Sequence, residues 1–324
     1  MTVVTPEFVR ALPKAELHVH LEGTIDAAMA FACARRNGLT LPWQNEDELI
    51  RAYDFEGLPA FLKVLFEVAR TLRKAEDFYD LALEYTRRAH ADGVIRAEVF
   101  FGPQTFLDAG VSIATMIDAI LAAFRDAERQ WGIDAHLVCT AQRHREESTG
   151  LQLLDLIEPW RDRIIGVGLG SAERGNPPAK FARYFAEAKR RGYHTTIHAG
   201  EDGPPSYVAE AMDVIAPDRI DHGVAAAADG ALVARLADDG IPLTMCPLSN
   251  VALNVALNVV PSLEDHPLKT FLDAGVKATI NSDDPPFFGG YLGENYTAIA
   301  HALNLDTDDV QRLAAHSVEA CWTT

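Results

Sequence analysis

The sequence predicts an α/β fold: a (β/α)8 barrel of the TIM type, in a single domain that spans residues 1–324. Short apolar or β-branched runs alternate with longer helix-like stretches along almost the whole chain, which is typical of repeated βα units around a parallel sheet. Eight such runs are present, and eight strands are enough to close a barrel. The length of 324 residues also suits one barrel with insertions.

The predicted strands are separated by segments with helical character. After the sixth strand, for example, a helix-like stretch ends at Gly240 and is followed by Pro242, a typical helix stop. The strands are predicted at residues 15–21, 94–101, 135–141, 164–169, 194–198, 219–223, 243–247 and 277–281.

The longest segment without a predicted strand is an inserted helical segment after the first strand, at about residues 24–93. Within it, apolar side chains recur at spacings that place them on one face of a helix; they are Phe55, Leu58, Phe61, Leu62 and Leu65. Two interpretations stay open: a lid over the barrel mouth, or an ordinary helix packed on the core.

Composition and charge exclude several classes of protein. A net charge of -18 argues against a nucleic-acid partner, because binding to phosphates requires a face rich in Lys and Arg. The N-terminus lacks a secretion signal, and no run approaches the roughly 20 apolar residues that span a bilayer. The cysteines form no CxxC pair, so neither a disulfide framework nor a thiolate zinc site is indicated. These features predict a cytoplasmic protein with no membrane partner and a small or neutral ligand.

Candidate metal ligands lie at the ends of predicted strands, where a (β/α)8 barrel builds its active site. His18 and His20 are two residues apart, so an extended backbone turns both imidazoles to one side. His198 ends the fifth strand and Asp283 follows the eighth. Three imidazoles and one carboxylate suit one Zn²⁺ or another divalent transition metal, with a position left for water. Because residues 164–170 contain no lysine that could bridge two metals, we expect one metal per chain.

Two further residues are candidates for proton transfer. Glu201 lies just beyond His198, and His222 ends the sixth strand. A metal ion lowers the pKa of bound water toward about 7, and an imidazole beside it can orient the water or accept its proton. The alternative for His222 is a buried, hydrogen-bonded histidine without a catalytic role.

Five ordered motifs together resemble the adenosine and adenine deaminase family of the amidohydrolase superfamily. They are PKAELHVHLEG at residues 13–23, HAGE at 198–201, DHG at 221–223, CPLSN at 246–250 and NSDDP at 281–285. The resemblance implies a zinc hydrolase whose metal hydroxide attacks carbon 6 of a 6-aminopurine. The implied metal ligands are His18, His20, His198 and Asp283.

The resemblance also implies roles for the neighbouring residues. His222 would orient the hydroxide, Glu201 would donate a proton to ring nitrogen 1, and Asp284 would hydrogen-bond nitrogen 7. Proton donors placed in this way stabilise the charge that attack builds on the ring nitrogens.

The substrate-binding prediction rests on three more positions. Adenosine deaminases typically have Gly-Asp-Glu at the positions where this chain has Ser-Ala-Glu, residues 171–173. They usually have Asp at the position of Glu22. Ser171, Glu173 and Glu22 are therefore predicted to contact substrate, although Ser171 and Glu173 could instead shape the loop. The resemblance implies that the chain is a purine salvage enzyme whose substrate is adenine. Other substrates stay open: adenosine, another 6-aminopurine nucleoside or an N6-substituted adenine. A purine- or metal-binding barrel without catalytic activity also stays open, as does assembly into a homo-oligomer.

Overall fold

The computed structural model describes residues 3–253 and 260–322. Eight parallel strands form one sheet in the order in which they occur in the chain, and every neighbouring pair from β1 to β8 is parallel. The strands are β1 (Lys14–Glu16), β2 (Val94–Phe101), β3 (Asp134–Gln142), β4 (Ile164–Gly170), β5 (His194–Ala199), β6 (Arg219–His222), β7 (Leu243–Met245) and β8 (Ala278–Ile280).

The ends of the sheet meet just beyond β1 and β8, which closes the barrel. Val19 and Asp283 form a parallel bridge there, and the amide of His20 donates to the carbonyl of Asp283 at 2.9 Å. On its other side, His20 bridges Phe100 of β2. The predicted (β/α)8 fold class is therefore confirmed.

Helices connect the strands and cover the outside of the barrel. They are α1 (Pro6–Ala11), α2 (Ala27–Asn37), α3 (Glu46–Arg51), α4 (Leu58–Ala69), α5 (Ala75–Ala91), α6 (Gln104–Asp108), α7 (Ile113–Trp131), α8 (Glu147–Ile157), α9 (Ala182–Arg190), α10 (Pro205–Glu210), α11 (Gly230–Asp238), α12 (Pro247–Ala252), α13 (Leu268–Asp273), α14 (Pro285–Phe288), α15 (Leu292–Ala302) and α16 (Thr307–Glu319).

The first strand is shorter than predicted. The sequence placed a strand at residues 15–21, whereas β1 ends at Glu16 and a short 3-10 helix begins at Leu21. The intervening residues keep an extended backbone but contact their neighbours only through isolated bridges. Their hydrogen bonds therefore form one at a time at the barrel rim, a pattern that hydrophobic periodicity cannot indicate.

The predicted insertion after β1 contains α2 to α5. Four of the five residues of its predicted apolar stripe lie in α4, where Phe61 and Leu65 are buried and Leu62 is half-buried. The predicted place of Phe55 on that helical face is wrong, because the helix begins only at Leu58. Helix α4 packs near the rim of the barrel, where Phe61 contacts the rings of Phe287 and Phe288. The segment thus has the predicted helical face, and that face is directed toward the carboxyl ends of the strands. Within residues 3–253 and 260–322, no helix has the length and apolar character needed to cross a membrane.

Candidate active site and metal centre

The four predicted metal ligands converge at the carboxyl ends of the strands. The Nε2 atoms of His20 and His198 lie 3.2 Å apart. Oδ1 of Asp283 lies 3.3 Å from Nε2 of His18 and 3.5 Å from Nε2 of His20. Three of these side chains, His18, His20 and Asp283, form one of the groups whose ligand atoms all lie within 4.8 Å of one another. Residues separated by more than 260 positions in the chain therefore share one small volume.

The donor set fits a divalent cation. Nε2 of His18 is fully buried and has no hydrogen-bond partner among the described residues, an arrangement that is costly unless something else satisfies it. Burial alone would raise the pKa of Asp283, but the neighbouring imidazoles, His18 foremost, hold it well below its usual range. Burial lowers the pKa of His20 to about 3, so its imidazole is neutral. Neutral imidazoles and an ionised carboxylate are the forms that bind zinc.

A second layer of polar residues orients these ligands. The Nδ1 atom of His198 faces Asp221 at 3.0 Å, and that of His18 faces the hydroxyl of Thr244 at 3.0 Å. The hydroxyl of Ser249 donates to Oδ2 of Asp283 at 2.6 Å. Partners of this kind fix the orientation of metal ligands and raise their basicity.

Three site residues adopt the left-handed backbone region that favours glycine. Ser171, His222 and Asp283 have φ of 78°, 61° and 64°, each at or just beyond the end of a strand. Such residues concentrate at functional sites because the surrounding structure must hold them in place. The turn redirects each side chain from the barrel wall into the mouth.

Glu201 and His222 lie side by side next to the ligand cluster. Oε1 of Glu201 is 3.6 Å from Nε2 of His222, and both side chains are buried. Burial, followed by the charge of Asp283, raises the pKa of Glu201 well above its usual range. Burial holds the pKa of His222 well below its usual range. At neutral pH the site therefore holds a protonated carboxylic acid beside a neutral imidazole.

Asp284, the neighbour of Asp283, also lines the cavity. Its Oδ1 has no hydrogen-bond partner among the described residues, and burial with the neighbouring Asp283 charge raises its pKa well above its usual range. Gly23 makes room for it, because a Cβ atom at Gly23 would lie 1.7 Å from that oxygen. A protonated, unpartnered carboxyl directed into a cavity can donate a hydrogen bond to a ligand.

Glu22 forms another part of the cavity wall. Its Oε1 accepts a hydrogen bond from the amide of Gly102 at 2.9 Å, while Oε2 is buried without a partner among the described residues. Burial raises its pKa to about 7. Any side chain at Gly102 would crowd Oε1, since a Cβ there would lie 2.8 Å from it.

The structure separates the two residues predicted after β4. Ser171 lines the cavity, and its hydroxyl lies 2.8 Å from Nδ1 of His144. Glu173 does not reach the cavity, which corrects its predicted contact with substrate. Its carboxylate is buried and accepts hydrogen bonds from the amides of four consecutive residues, 200–203, at 2.7 to 3.0 Å. Glu173 therefore holds the loop that carries Glu201, the loop-shaping alternative that the sequence left open.

The cavity over the ligand cluster has one polar wall and one apolar wall. It contains about 550 Å³ of space, part of it open to solvent. Helix α4 supplies the apolar wall; the side chains are Leu58, Phe61, Leu62, Leu65 and Phe66. The polar wall combines the metal-ligand cluster with Glu22, Ser171, Glu201 and Asp284.

Sequence reasoning missed the residues behind the ligands. Asp221, Ser249 and Asn250 lie inside motifs that the sequence singled out, so only their roles were missed. His266 begins the segment HPLK, which also resembles the adenine deaminase branch of the family, but its role was missed. Thr244 gave no signal, because it becomes a neighbour of the site only when β7 is folded. A sequence motif does not show which residues from other strands will hydrogen-bond to a metal ligand.

Comparison with known proteins places this geometry in a family. Residues 13–324 match the family described as Adenosine deaminase. An adenine deaminase of Rhodopseudomonas palustris is 46% identical over 317 residues, covering 98% of this chain and 91% of that protein. The crystal structure of an adenine deaminase from Arthrobacter aurescens matches with a TM-score of 0.93 at 38% identity, covering 97% of this chain and 94% of that one. The crystal structure of an amidohydrolase from Burkholderia ambifaria with bound Zn matches with a TM-score of 0.90 at 29% identity, covering 100% of this chain and 90% of that one.

The family match covers every motif on which the resemblance was based, from the first histidine pair to Asp284. The family predicted from the sequence is therefore confirmed, and the chain belongs to the adenosine deaminase family.

Proposed function

We propose that this protein is an adenine deaminase, an aminohydrolase that converts adenine and water to hypoxanthine and ammonia. The observation that carries the proposal is the buried carboxyl of Glu201, 3.6 Å from His222 and beside the ligand cluster in the cavity, where burial and the charge of Asp283 raise its pKa. The relatives named adenine deaminase support the same reaction. Residues 1–324 would act as one catalytic domain.

One divalent ion, Zn²⁺ or another transition metal, would be held by four residues: His18, His20, His198 and Asp283. When bound, the metal would supply a water of lowered pKa as the nucleophile for carbon 6. The absence of lysine along β4 supports one metal rather than two, as does the overlap of the candidate ligand groups, any two of which share a residue. The bound Zn in the structure from Burkholderia ambifaria supports zinc as the first metal to test.

The chain's own residues would activate the ring. Glu201, protonated at rest, would donate its proton to nitrogen 1, which makes carbon 6 more electrophilic. Nitrogen 7 of adenine carries a lone pair, so a partner there must donate. Asp284 meets this requirement because its raised pKa keeps its carboxyl protonated. After attack, the Glu201 carboxylate would take the proton of the oxygen now bound to carbon 6 and pass it to the departing amino group, which leaves as ammonia.

Two residues would set the preference for the free base. Glu22 occupies the cavity wall with one carboxylate oxygen bound to Gly102 and the other free to meet the substrate. The longer Glu would leave less room for a ribose than the Asp usual in adenosine deaminases. Ser171 lines the same cavity and would contact the purine edge.

The test is a substrate panel with the zinc-loaded protein. Release of the departing amine would be measured, as ammonia from adenine and adenosine and as methylamine from N6-methyladenine, with the metal content determined on the same sample. We expect adenine to give the highest kcat/KM. Faster turnover of adenosine or of the N6-substituted base would assign the other substrate, and no release from any of the three would overturn the proposed reaction.

A further inference from the structure

The histidines of the site differ in what their second ring nitrogen faces. Nδ1 of His198 lies 3.0 Å from the carboxylate of Asp221, which accepts. Nδ1 of His18 lies 3.2 Å from the carbonyl of Thr244, which also only accepts. A neutral imidazole that donates from Nδ1 carries its lone pair on Nε2. With Nδ1 donating, the neutral form of each ring presents a lone pair to the metal position.

His222 has the opposite environment. Its Nδ1 lies 3.0 Å from Nδ2 of Asn250, an amide nitrogen that only donates. This assignment depends on which way the Asn250 amide points, since its oxygen and nitrogen have nearly the same shape. The orientation of the amide follows from the hydrogen bond that its other terminal atom forms.

The partner of that atom is His266, and a backbone group fixes its proton. The amide of Leu268 donates to Nδ1 of His266 at 3.2 Å, and a backbone N–H can only donate. Burial lowers the pKa of His266 to about 3, so its ring is neutral and carries its one proton on Nε2. Nε2 in turn donates to Oδ1 of Asn250 at 3.2 Å. The Asn250 amide must then present its nitrogen to His222.

We propose that Asn250 and His266 are positioning residues that hold His222 in the tautomer with its proton on Nε2. The chain of donors runs in one direction, from Leu268 through His266 and Asn250 to His222. His222 thus donates a hydrogen bond into the site and does not bind the metal. Nε2 of His222 is buried and has no partner among the described residues, so this N–H is free to meet a ligand oxygen.

The inference resolves an ambiguity in the geometry. His222 also belongs to groups whose atoms lie close enough to hold a metal, one with His18 and His198 and one with Cys246 and Asp283. A ring with a proton on Nε2 cannot ligate through that atom, which leaves His20 as the third imidazole ligand. Resting on the proposed function, it also makes Glu201 the proton carrier, because His222 then has no lone pair in the site with which to accept a proton.

The first experiment reverses the hydrogen bond at Asn250. Asn250→Asp keeps the size of the side chain but replaces the donor by a carboxylate, which accepts from Nδ1–H and moves the proton off Nε2. We expect kcat for adenine to fall by about 10²–10⁴-fold, the scale of a misplaced histidine tautomer, with KM changed less than about threefold. A variant with wild-type kcat would overturn the proposal.

A matched pair at His266 separates tautomer control from packing. His266→Gln keeps an N–H donor toward Asn250, whereas His266→Leu fills the space without one. We expect the Gln variant to keep most of the wild-type kcat and the Leu variant to lose about tenfold or more, because its Asn250 amide can rotate. Equal losses in both variants would mean that His266 acts through packing, against the proposal.

The tautomer can also be read without substrate. In zinc-loaded protein with ¹⁵N-labelled histidine, the Nδ1 resonance of His222, assigned by its loss in His222→Gln, should be of the unprotonated type in the wild type and protonated in Asn250→Asp. A protonated Nδ1 in the wild type would overturn the proposal whatever the activity. The predicted spectrum in a protein that releases no ammonia from adenine would instead count against the proposed function alone.

Discussion

Glu201 owes its chemical role to its surroundings. An exposed glutamate is ionised at neutral pH and cannot donate a proton, but this carboxyl is buried and lies close to the charge of Asp283. Both effects favour the protonated form. A carboxylic acid that keeps its proton at neutral pH can act as a general acid.

Replacing Glu201 by Gln should therefore lower activity much more than binding. The amide keeps the shape and a hydrogen-bond donor but cannot release a proton, so we expect kcat for adenine to fall by about 10²–10⁴-fold. KM should change little. Steady-state kinetics with the metal content measured alongside will check this, and a variant within tenfold of wild type would remove Glu201 from proton transfer.

The activity should also depend on pH in a defined direction. The folded pKa of Glu201 is raised, so the acid form is complete at low pH and is lost as pH rises through that value. We expect kcat to fall on the alkaline side of the profile. In Glu201→Gln the remaining activity should lack this decline; a wild-type profile that stays flat up to high pH would contradict the assignment.

At the scale of elements, the loop after β5 depends on a residue from the loop after β4. Four consecutive amides, at residues 200–203, point at the carboxylate of Glu173. Buried Arg143 supports the same region by donating to the carbonyl of His198 at 2.5 Å and to that of Asn176. Concave groups of amides bind anions well, and here the anion is part of the chain.

Glu173→Gln should loosen this loop and reduce catalysis. One of its two terminal atoms becomes an N–H donor facing amide donors, which leaves at least one amide unsatisfied at a cost of about 1–3 kcal/mol. We expect a lower free energy of unfolding in urea and a kcat lowered by about tenfold or more, because Glu201 moves with the loop. The control is Glu146→Gln, the same change at an exposed position, which should alter neither quantity.

The elements also show how far sequence reasoning reaches. The strand ends carrying His198, His222 and Asp283 follow from alternating patterns, since the barrel fold brings all carboxyl ends to one face. The early end of β1 does not follow, because Val19 and His20 form only isolated bridges, to Asp283 and to Phe100 respectively. Nor does the role of Glu173, since a carboxylate facing the cavity and one facing a ring of amides look the same in a sequence.

At the scale of the whole molecule, the barrel has two different ends. The carboxyl ends of the strands hold the cluster of histidines and carboxylates, whose polar atoms are left for a metal and a substrate. The opposite end is closed by Trp322, which packs with Phe100, Val138 and Ile165 in the barrel interior. Function and stability are therefore separated along the barrel axis.

Removal of the metal should affect both activity and stability. The four ligand side chains converge only in the folded chain, so metal binding stabilises the folded state, by about 4 kcal/mol when the free metal exceeds Kd a thousandfold. We expect a chelator to abolish ammonia release and lower Tm, and added Zn²⁺ to restore both. His20→Ala should show the low Tm without the response to zinc. A chelator-treated protein that retained full activity would exclude metal catalysis.

The closed end of the barrel supports a prediction of the opposite kind. Arg219, the first residue of β6, is fully buried; it pairs with Glu98 of β2 at 2.5 Å and stacks on Trp322 with its guanidinium 3.6 Å from the ring centroid. The other oxygen of Glu98 accepts the amide of Trp322 at 2.8 Å. One carboxylate thus balances a buried charge and fixes the residue that closes the barrel.

Glu98→Ala should therefore destabilise the protein without changing its chemistry. Removing one partner leaves the Arg219 charge uncompensated in the interior, which costs about 3–5 kcal/mol. Asp213→Ala is the matched control, because its pair with Arg235 at 2.8 Å is exposed and is worth at most about 1 kcal/mol. Urea unfolding should separate the two variants by several kcal/mol, while kcat per folded molecule stays at the wild-type value in both. A large loss of kcat in folded Glu98→Ala would mean that the two ends of the barrel are coupled, because the uncompensated charge at the closed end would then affect proton transfer at the carboxyl ends of the strands.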